Sequence, residues 1–220
     1  MRALITQREA VDAHGEQTDV LEARYVTYFS RLGISLYPVS NFLPELMPLL
    51  EKDAFEGLIL TGGGDIPSQF YSVFRSGKAQ PNRDRTEEQL IEFCLREKKP
   101  VLAICRGMQY LNGLWGGRVS RLDSLKIARP IGIDHPVEMD GERWLVNQYH
   151  NDGIFVQDLA RGLKPLAVDR ENQVVEAFTA DREKILALQW HPERAFSEEK
   201  AQEKTTELIQ TFFGIGEGIK

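Results

Sequence analysis

The stretch "VLAICRGMQYLNGLWGG", residues 101–117, passes from four apolar residues through one cysteine into an amphipathic segment that stops at two glycines. A short apolar run opened by Pro100 and followed at once by helical periodicity is the strand-to-helix unit of a parallel α/β sheet. The residues around it repeat that unit. Arg2 to Thr6 predicts a strand, Glu16 to Leu32 a helix, Ile34 to Val39 a strand, Leu43 to Leu50 a helix and Gly57 to Leu60 a strand. A polar loop from Gly62 to Arg85 then leads to a helix capped by Thr86 and running through Lys98, with Glu87 and Glu88 in its first turn. Beyond Gly117 the pieces shorten, from Val119 to Met139 and Arg143 to His150. Val174 to Thr179 and Lys184 to Gln189 read as a hairpin, and Ser197 to Phe213 as a closing helix. The prediction is an α/β fold, a three-layer, doubly wound, mostly parallel sheet, in one domain over residues 1–220.

Bulk composition narrows the partners. A chain of 220 residues with 42% hydrophobic and 27% charged residues is an ordinary globular protein, and a formal charge of -6 disfavours attraction to a nucleic-acid polymer or an anionic membrane. No apolar run reaches the roughly 18 residues of a spanning helix, and the residues after Met1 do not form a signal peptide, so the expected location is the cytoplasm. Two cysteines, Cys94 and Cys105, with no CxxC or HxxxH spacing, indicate neither a disulfide framework nor a metal site.

Cys105 sits where strand gives way to helix, at the carboxyl edge of the sheet where open α/β sheets bind ligands. Ala103 and Gly107, two positions either side, leave room for a sharp turn, the geometry of a nucleophile elbow. Free N–H groups at the helix start favour thiolate over thiol and can receive an oxyanion. A buried structural cysteine is the competing reading, and the one that fits Cys94. A nucleophile needs a base, and the histidines are His14, His135, His150 and His191. His191 follows the apolar run "ILALQW" and precedes Pro192 and Glu193, so a strand end again presents it, with a carboxylate near enough to orient the ring. His14 and His135 read as loop or surface residues. The run "LILTGGGDIPS", residues 58–68, ends a strand in three glycines but lacks both Walker and dinucleotide spacing, which leaves an oxyanion loop or a plain turn.

Together "GLILTGGGDI", "VLAICRGMQ" and "LQWHPER" resemble, in order and spacing, the three blocks of the class I glutamine amidotransferase-like proteins, a flavodoxin-like fold. The resemblance implies Cys105 as nucleophile, His191 as general base and acid, Glu193 as its orienting partner, and an oxyanion hole from the N–H groups of Gly63 and Arg106. It also implies Gln109 as a contact to the glutamyl group. "WLVNQYHNDGI", residues 144–154, is similar to the block that holds the glutamyl α-carboxylate, which brings in Gln148, Tyr149 and His150, with Gln148 where the family usually has serine. His150 is there either a substrate ligand or a support of the loop.

The implied reaction is hydrolysis of a γ-glutamyl amide through a thioester, with no cofactor and no metal. "CRGMQ" resembles the γ-glutamyl hydrolase, peptidase C26-like branch. "VNQYHN" and "WHPER" lean toward γ-glutamyl-CDP-amidate as substrate, a step in surface-polysaccharide (capsule) phosphoramidate synthesis. γ-Glutamyl-γ-aminobutyrate hydrolysis, a glutaminase subunit serving a separate synthase, and a non-catalytic binding module are the alternatives. Arg8 and the basic loop carrying Arg75, Lys78, Arg83 and Arg85 would meet a phosphorylated, nucleotide-linked leaving group, the competing reading being an ordinary solvated loop partly neutralised by Asp84 and Glu87. A homodimer is left open.

Overall fold

The computed structural model describes residues 1–46, 48, 50, 55–74, 77, 80–122, 125, 127 and 130–216. The chain runs β1 (Arg2–Ile5), β2 (Arg8–Val11), β3 (Gln17–Val20), α1 (Ala23–Arg31), β4 (Ser35–Pro38), β5 (Gly57–Leu60), α2 (Pro81–Arg96), β6 (Val101–Ile104), α3 (Arg106–Leu114) and β7 (Ser120–Arg121). It continues with β8 (His135–Met139), β9 (Glu142–Val146), β10 (Asp152–Phe155), β11 (Leu163–Asp169), β12 (Val174–Ala180), β13 (Ile185–Leu188) and α4 (Glu199–Phe213).

The main sheet has the order β4-β1-β5-β6-β13-β12-β11-β8-β9. Its first five strands are parallel neighbours, and from β13 onward the pairing is antiparallel. Every residue of β5, β6 and β13 is buried. That is why these strands read as unbroken apolar runs: helices cover both faces. The alternation of side chains sorts them into two cores. Leu58, Leu60, Val101 and Ala103 pack with Leu90 of α2 and Met108 and Leu111 of α3. Ile59, Leu102, Ile104, Leu186 and Leu188 pack with Tyr25 and Phe29 of α1 and Ile209 of α4. The fold is therefore α/β, with helices on both faces of the parallel strands.

Two expectations change. The helix predicted over 16–32 is instead the antiparallel hairpin β2–β3 followed by α1: Arg8 pairs with Val20 and Val11 with Gln17. Its strands gain backbone partners only from each other, a non-local gain that helical periodicity does not register. The long polar loop is shorter than expected because α2 starts at Pro81, which fits the first helical position where its missing N–H costs nothing; Thr86 is buried mid-helix and caps nothing. The helix expected over 43–50 involves residues 47 and 49, which lie outside the described residues, as do Arg75 and Lys78 of the basic loop. Among the described residues no helix is long and apolar enough to cross a membrane.

Gly107, in the first turn of α3, lies against β5. A Cβ there would stand 2.7 Å from the Leu60 Cβ and 2.8 Å from its carbonyl oxygen. Because one of those neighbours is backbone, Gly107→Ala is expected to lower stability by about 1–3 kcal/mol, as overpacking does, measured by urea denaturation.

Candidate active site

β6 delivers Cys105 to the corner, and α3 begins at the next residue. The corner is sharp enough that Cys105 has φ +50° and ψ −103°, outside the regions that L-residues ordinarily occupy. Such backbone costs on the order of 1–3 kcal/mol and persists only where surrounding packing enforces it. The buried strands on either side supply that enforcement, at roughly 1.5–3 kcal/mol per buried aliphatic side chain. The Cys105 N–H donates to the Leu188 carbonyl (2.7 Å), so β13 ties the corner down from the neighbouring strand. The N–H groups of the first turn of α3 have no intrahelical acceptor.

β13 also presents His191. Its ring lines the same cavity as Cys105, and its Nδ1 lies 2.6 Å from Glu193 Oε1. Asn147 clamps the His191 backbone from both sides, accepting its N–H (2.9 Å) and donating to its carbonyl (2.8 Å). Tyr149 meets the imidazole edge-on, with ring centroids 5.7 Å apart, and Arg194 stacks over Tyr149 at 4.4 Å. Burial opposes a thiolate at Cys105, but the adjoining His191 and the nearby His150 outweigh it and hold the thiol below its usual range. Burial likewise opposes charge on His191, yet the thiolate and Glu193 push the imidazole up to about 10.

The glycine loop after β5 reaches the same cavity. Gly62 donates its N–H to Tyr25 Oη (3.0 Å), while Gly63, at φ +77°, lines the cavity with Cys105 and Arg106. The cavity has a volume of about 240 Å³. Its wall also includes Gln109, Tyr149, His150 and Glu22. A second cavity, of about 650 Å³, adjoins it at Gly64 and Asp65, walled by Arg8, Gln17, Phe42 and Gln80.

The residues singled out in the sequence divide accordingly. Cys105, Arg106, Gly63, Gln109, Tyr149, His150 and His191 share one cavity, with Glu193 behind His191. Gln109 donates its amide to the Asp152 carbonyl (3.0 Å) and to Gln189 Oε1 (3.1 Å). Gln148 does not line that cavity: it is buried and donates to the His150 carbonyl, bracing the loop. Arg8 lines the neighbouring cavity and pairs with Glu22 at 3.4 Å. Arg85 is exposed on α2 and lines neither cavity.

Arg83 is a correction. It is fully buried, so it cannot meet a phosphorylated ligand. Its guanidinium donates to Glu87 (2.8 Å), to the Gly63 carbonyl (2.7 Å) and to the Thr61 carbonyl (2.7 Å). Glu87 also bonds the Arg106 side chain, which reaches Asp84, and accepts from Thr6 Oγ1 at 2.8 Å. Burial would raise the Glu87 carboxyl, but Arg106 and Arg83 hold it below the usual range. One buried ionic cluster thus joins the glycine loop to the start of α3. The signal was the i, i+4 spacing of Arg83 and Glu87, legible only once α2 was extended back to Pro81.

His135 is the other correction, being 1% exposed in β8 rather than on a surface. It meets Glu176 of β12, as does His150. Their donor atoms all lie within 4.8 Å of one another, the one such grouping among the described residues. A structural zinc site takes four protein ligands, and a three-ligand site keeps a position open to a cavity. This group has three members, and neither His135 nor Glu176 lines the Cys105 cavity. We read it as a buried ion-pair cluster.

Comparison with known proteins agrees with this architecture. The family model Peptidase C26 matches residues 3–193. The glutamine amidotransferase-like protein YvdE of Lactococcus lactis is 31% identical over 209 residues, spanning 84% of this chain and 85% of that protein. The γ-glutamyl-CDP-amidate hydrolase of Campylobacter jejuni is 35% identical over 143 residues, 65% of this chain and 64% of the relative. The crystal structure of a glutamine amidotransferase from Thermotoga maritima superposes with a TM-score of 0.60 at 21% identity, covering 96% of this chain and 82% of that one. With the family model spanning nearly the whole described chain, the protein belongs to the Peptidase C26 family.

Proposed function

We propose that the protein hydrolyses a γ-glutamyl amide, with Cys105 as nucleophile, His191 as general base and acid, and Glu193 orienting His191. The observation that carries this reading is the strained corner that sets Cys105 against His191 at the start of α3. The thiolate attacks the γ-carbonyl carbon, and the oxyanion takes N–H bonds from Gly63 and Arg106. As the C–N bond breaks, His191 gives its proton to the leaving amine, and a γ-glutamyl thioester remains. His191 then removes a proton from water, which attacks the thioester and releases glutamate and the Cys105 sulfur. Gln109 and Tyr149 border the glutamyl side.

The adjoining cavity beside Arg8, Phe42 and Gln80 offers room for the amine side of a conjugate larger than glutamine. The activity named for the Campylobacter relative supports γ-glutamyl-CDP-amidate as the conjugate. The test is glutamate release from γ-glutamyl-CDP-amidate, γ-glutamyl-γ-aminobutyrate and glutamine. The expected order places the nucleotide conjugate first. Preference for γ-glutamyl-γ-aminobutyrate would overturn the substrate assignment, and preference for glutamine would point to an ammonia-supplying subunit.

The charge state of the pair sets a pH dependence. A thiol held low and an imidazole held near 10 give a plateau in kcat/KM between the two. Activity should fall on the acid side as the thiolate is protonated, and again above about pH 10 as His191 loses the proton owed to the leaving amine. An acid limb centred near 8.5, the value of an unperturbed thiol, would contradict it.

A further inference from the structure

The buried cluster behind the Cys105 cavity is unused by that mechanism. Glu176, on β12, is 2% exposed. His135 Nε2 lies 3.3 Å from its Oε1, and His150 Nε2 lies 3.6 Å from its Oε2. The other nitrogen of His150, Nδ1, lies 2.9 Å from the Asp152 carbonyl oxygen. A carbonyl oxygen only accepts, so Nδ1 carries a proton. In a neutral ring Nε2 would then be a bare lone pair facing a carboxylate oxygen, two acceptors opposed where burial leaves neither another partner. A proton on Nε2 turns that repulsion into an ion pair.

We propose that Glu176 is a positioning residue that keeps His150 doubly protonated, so that the wall of the Cys105 cavity carries a second fixed positive charge besides that of His191. The inference rests on the reading of Cys105 as nucleophile. With both nitrogens engaged, His150 cannot take the thiol's proton, which leaves that task to His191. It acts through its field, favouring the thiolate as a nearby cation does. The groups facing the His150 ring are Glu176 from β12, His135 from β8 and Cys105 from the corner. Those facing Cys105 are His191, Glu193, His150 and Tyr25. Burial works against charge on His150, and Glu176 outweighs it; Glu176 in turn is held well below the carboxylate range, against its own burial, by the two imidazoles.

The test has two readouts. In Cys105→Ala protein labelled with 15N-histidine, His150 should show both ring nitrogens protonated at pH 7, and Glu176→Gln in that background should convert it to the neutral form with the proton on Nδ1. In the enzyme with Cys105 intact, Glu176→Gln should move the acid midpoint of Cys105 alkylation by iodoacetamide upward by about one pH unit, which is about tenfold slower labelling below the midpoint. Glu176→Asp should recover part of that shift. A role confined to packing would lower the melting temperature and leave the midpoint in place. A neutral His150 at pH 7 in the Cys105→Ala protein overturns the proposal, as does an unmoved midpoint in folded Glu176→Gln. One divalent metal ion per chain, lost in Glu176→Gln, would also overturn it. If Glu176→Gln does not fold, the Cys105→Ala spectrum decides alone. Failure of the catalytic reading looks different: a glutamine-analogue electrophile would leave Cys105 unlabelled while His150 stayed doubly protonated.

Discussion

Cys105→Ala is expected to lower kcat for γ-glutamyl amide hydrolysis by on the order of 10⁴-fold or more while leaving the fold intact. Losing a nucleophile removes the covalent route altogether, and what remains is the modest help of the oxyanion donors and of binding. Because alanine tolerates the strained corner no better than cysteine, and the Leu188 hydrogen bond uses only the backbone, stability should change little. Substrate binding should survive, so glutamyl conjugates ought to titrate the inactive protein by calorimetry. The checks are steady-state glutamate release and labelling by a glutamine-analogue electrophile in the unaltered chain, with the adduct mapped to Cys105. Residual activity within tenfold of the unaltered enzyme would remove Cys105 from the chemistry.

Arg83→Met is the second large change, and it acts without touching substrate. The guanidinium is fully buried and is shared between Glu87 and the carbonyls of Thr61 and Gly63. Breaking a buried ion pair by removing one partner typically costs about 3–5 kcal/mol, because the other charge is stranded. Here Glu87 keeps Arg106 and Thr6, which argues for the lower end of that range. The kinetic consequence is larger than the stability loss suggests. Freed carbonyls at Thr61 and Gly63 let the glycine loop shift, and with it the Gly63 N–H proposed as an oxyanion donor. A lost oxyanion donor costs roughly 10²–10³ in kcat. KM should move much less, and Cys105 alkylation by neutral iodoacetamide should persist, since thiolate formation depends on His191 rather than on the loop. Denaturation and steady-state kinetics at a temperature where the variant is folded separate the two effects. Equal losses in alkylation and kcat would show that Arg83 merely holds the fold.

The parallel strands and the corner were legible because their apolar runs are short, unbroken and closed by turn residues. β5, β6 and β13 are buried on both faces, so no polar position interrupts them. The β2–β3 hairpin was not legible: Arg8–Val11 and Gln17–Val20 carry no fully buried residue, and their strands pair with each other across a turn. Arg83 and His135 were misplaced for one shared reason. Composition assigns charged and titratable residues to the surface, and what overrides it is a partner distant in sequence: the glycine loop for one, Glu176 for the other. Within the site, Cys105, His191, Gly63 and Gln109 were singled out from their blocks, whereas Glu22, which lines the cavity, and Glu176, which lies behind it, carried no local pattern.

The position of β13 has a consequence for the chain as it is made. Cys105 is synthesised long before His191, yet its thiol owes its low range to that histidine, which arrives on a strand inserted between β6 and β12. Until residues 185–193 dock, Cys105 lacks the neighbour that most favours its thiolate, so slow alkylation and slow oxidation are expected of it. A nascent or half-folded chain therefore carries a dormant sulfur, and its reactivity switches on only when the cavity that shelters it is complete.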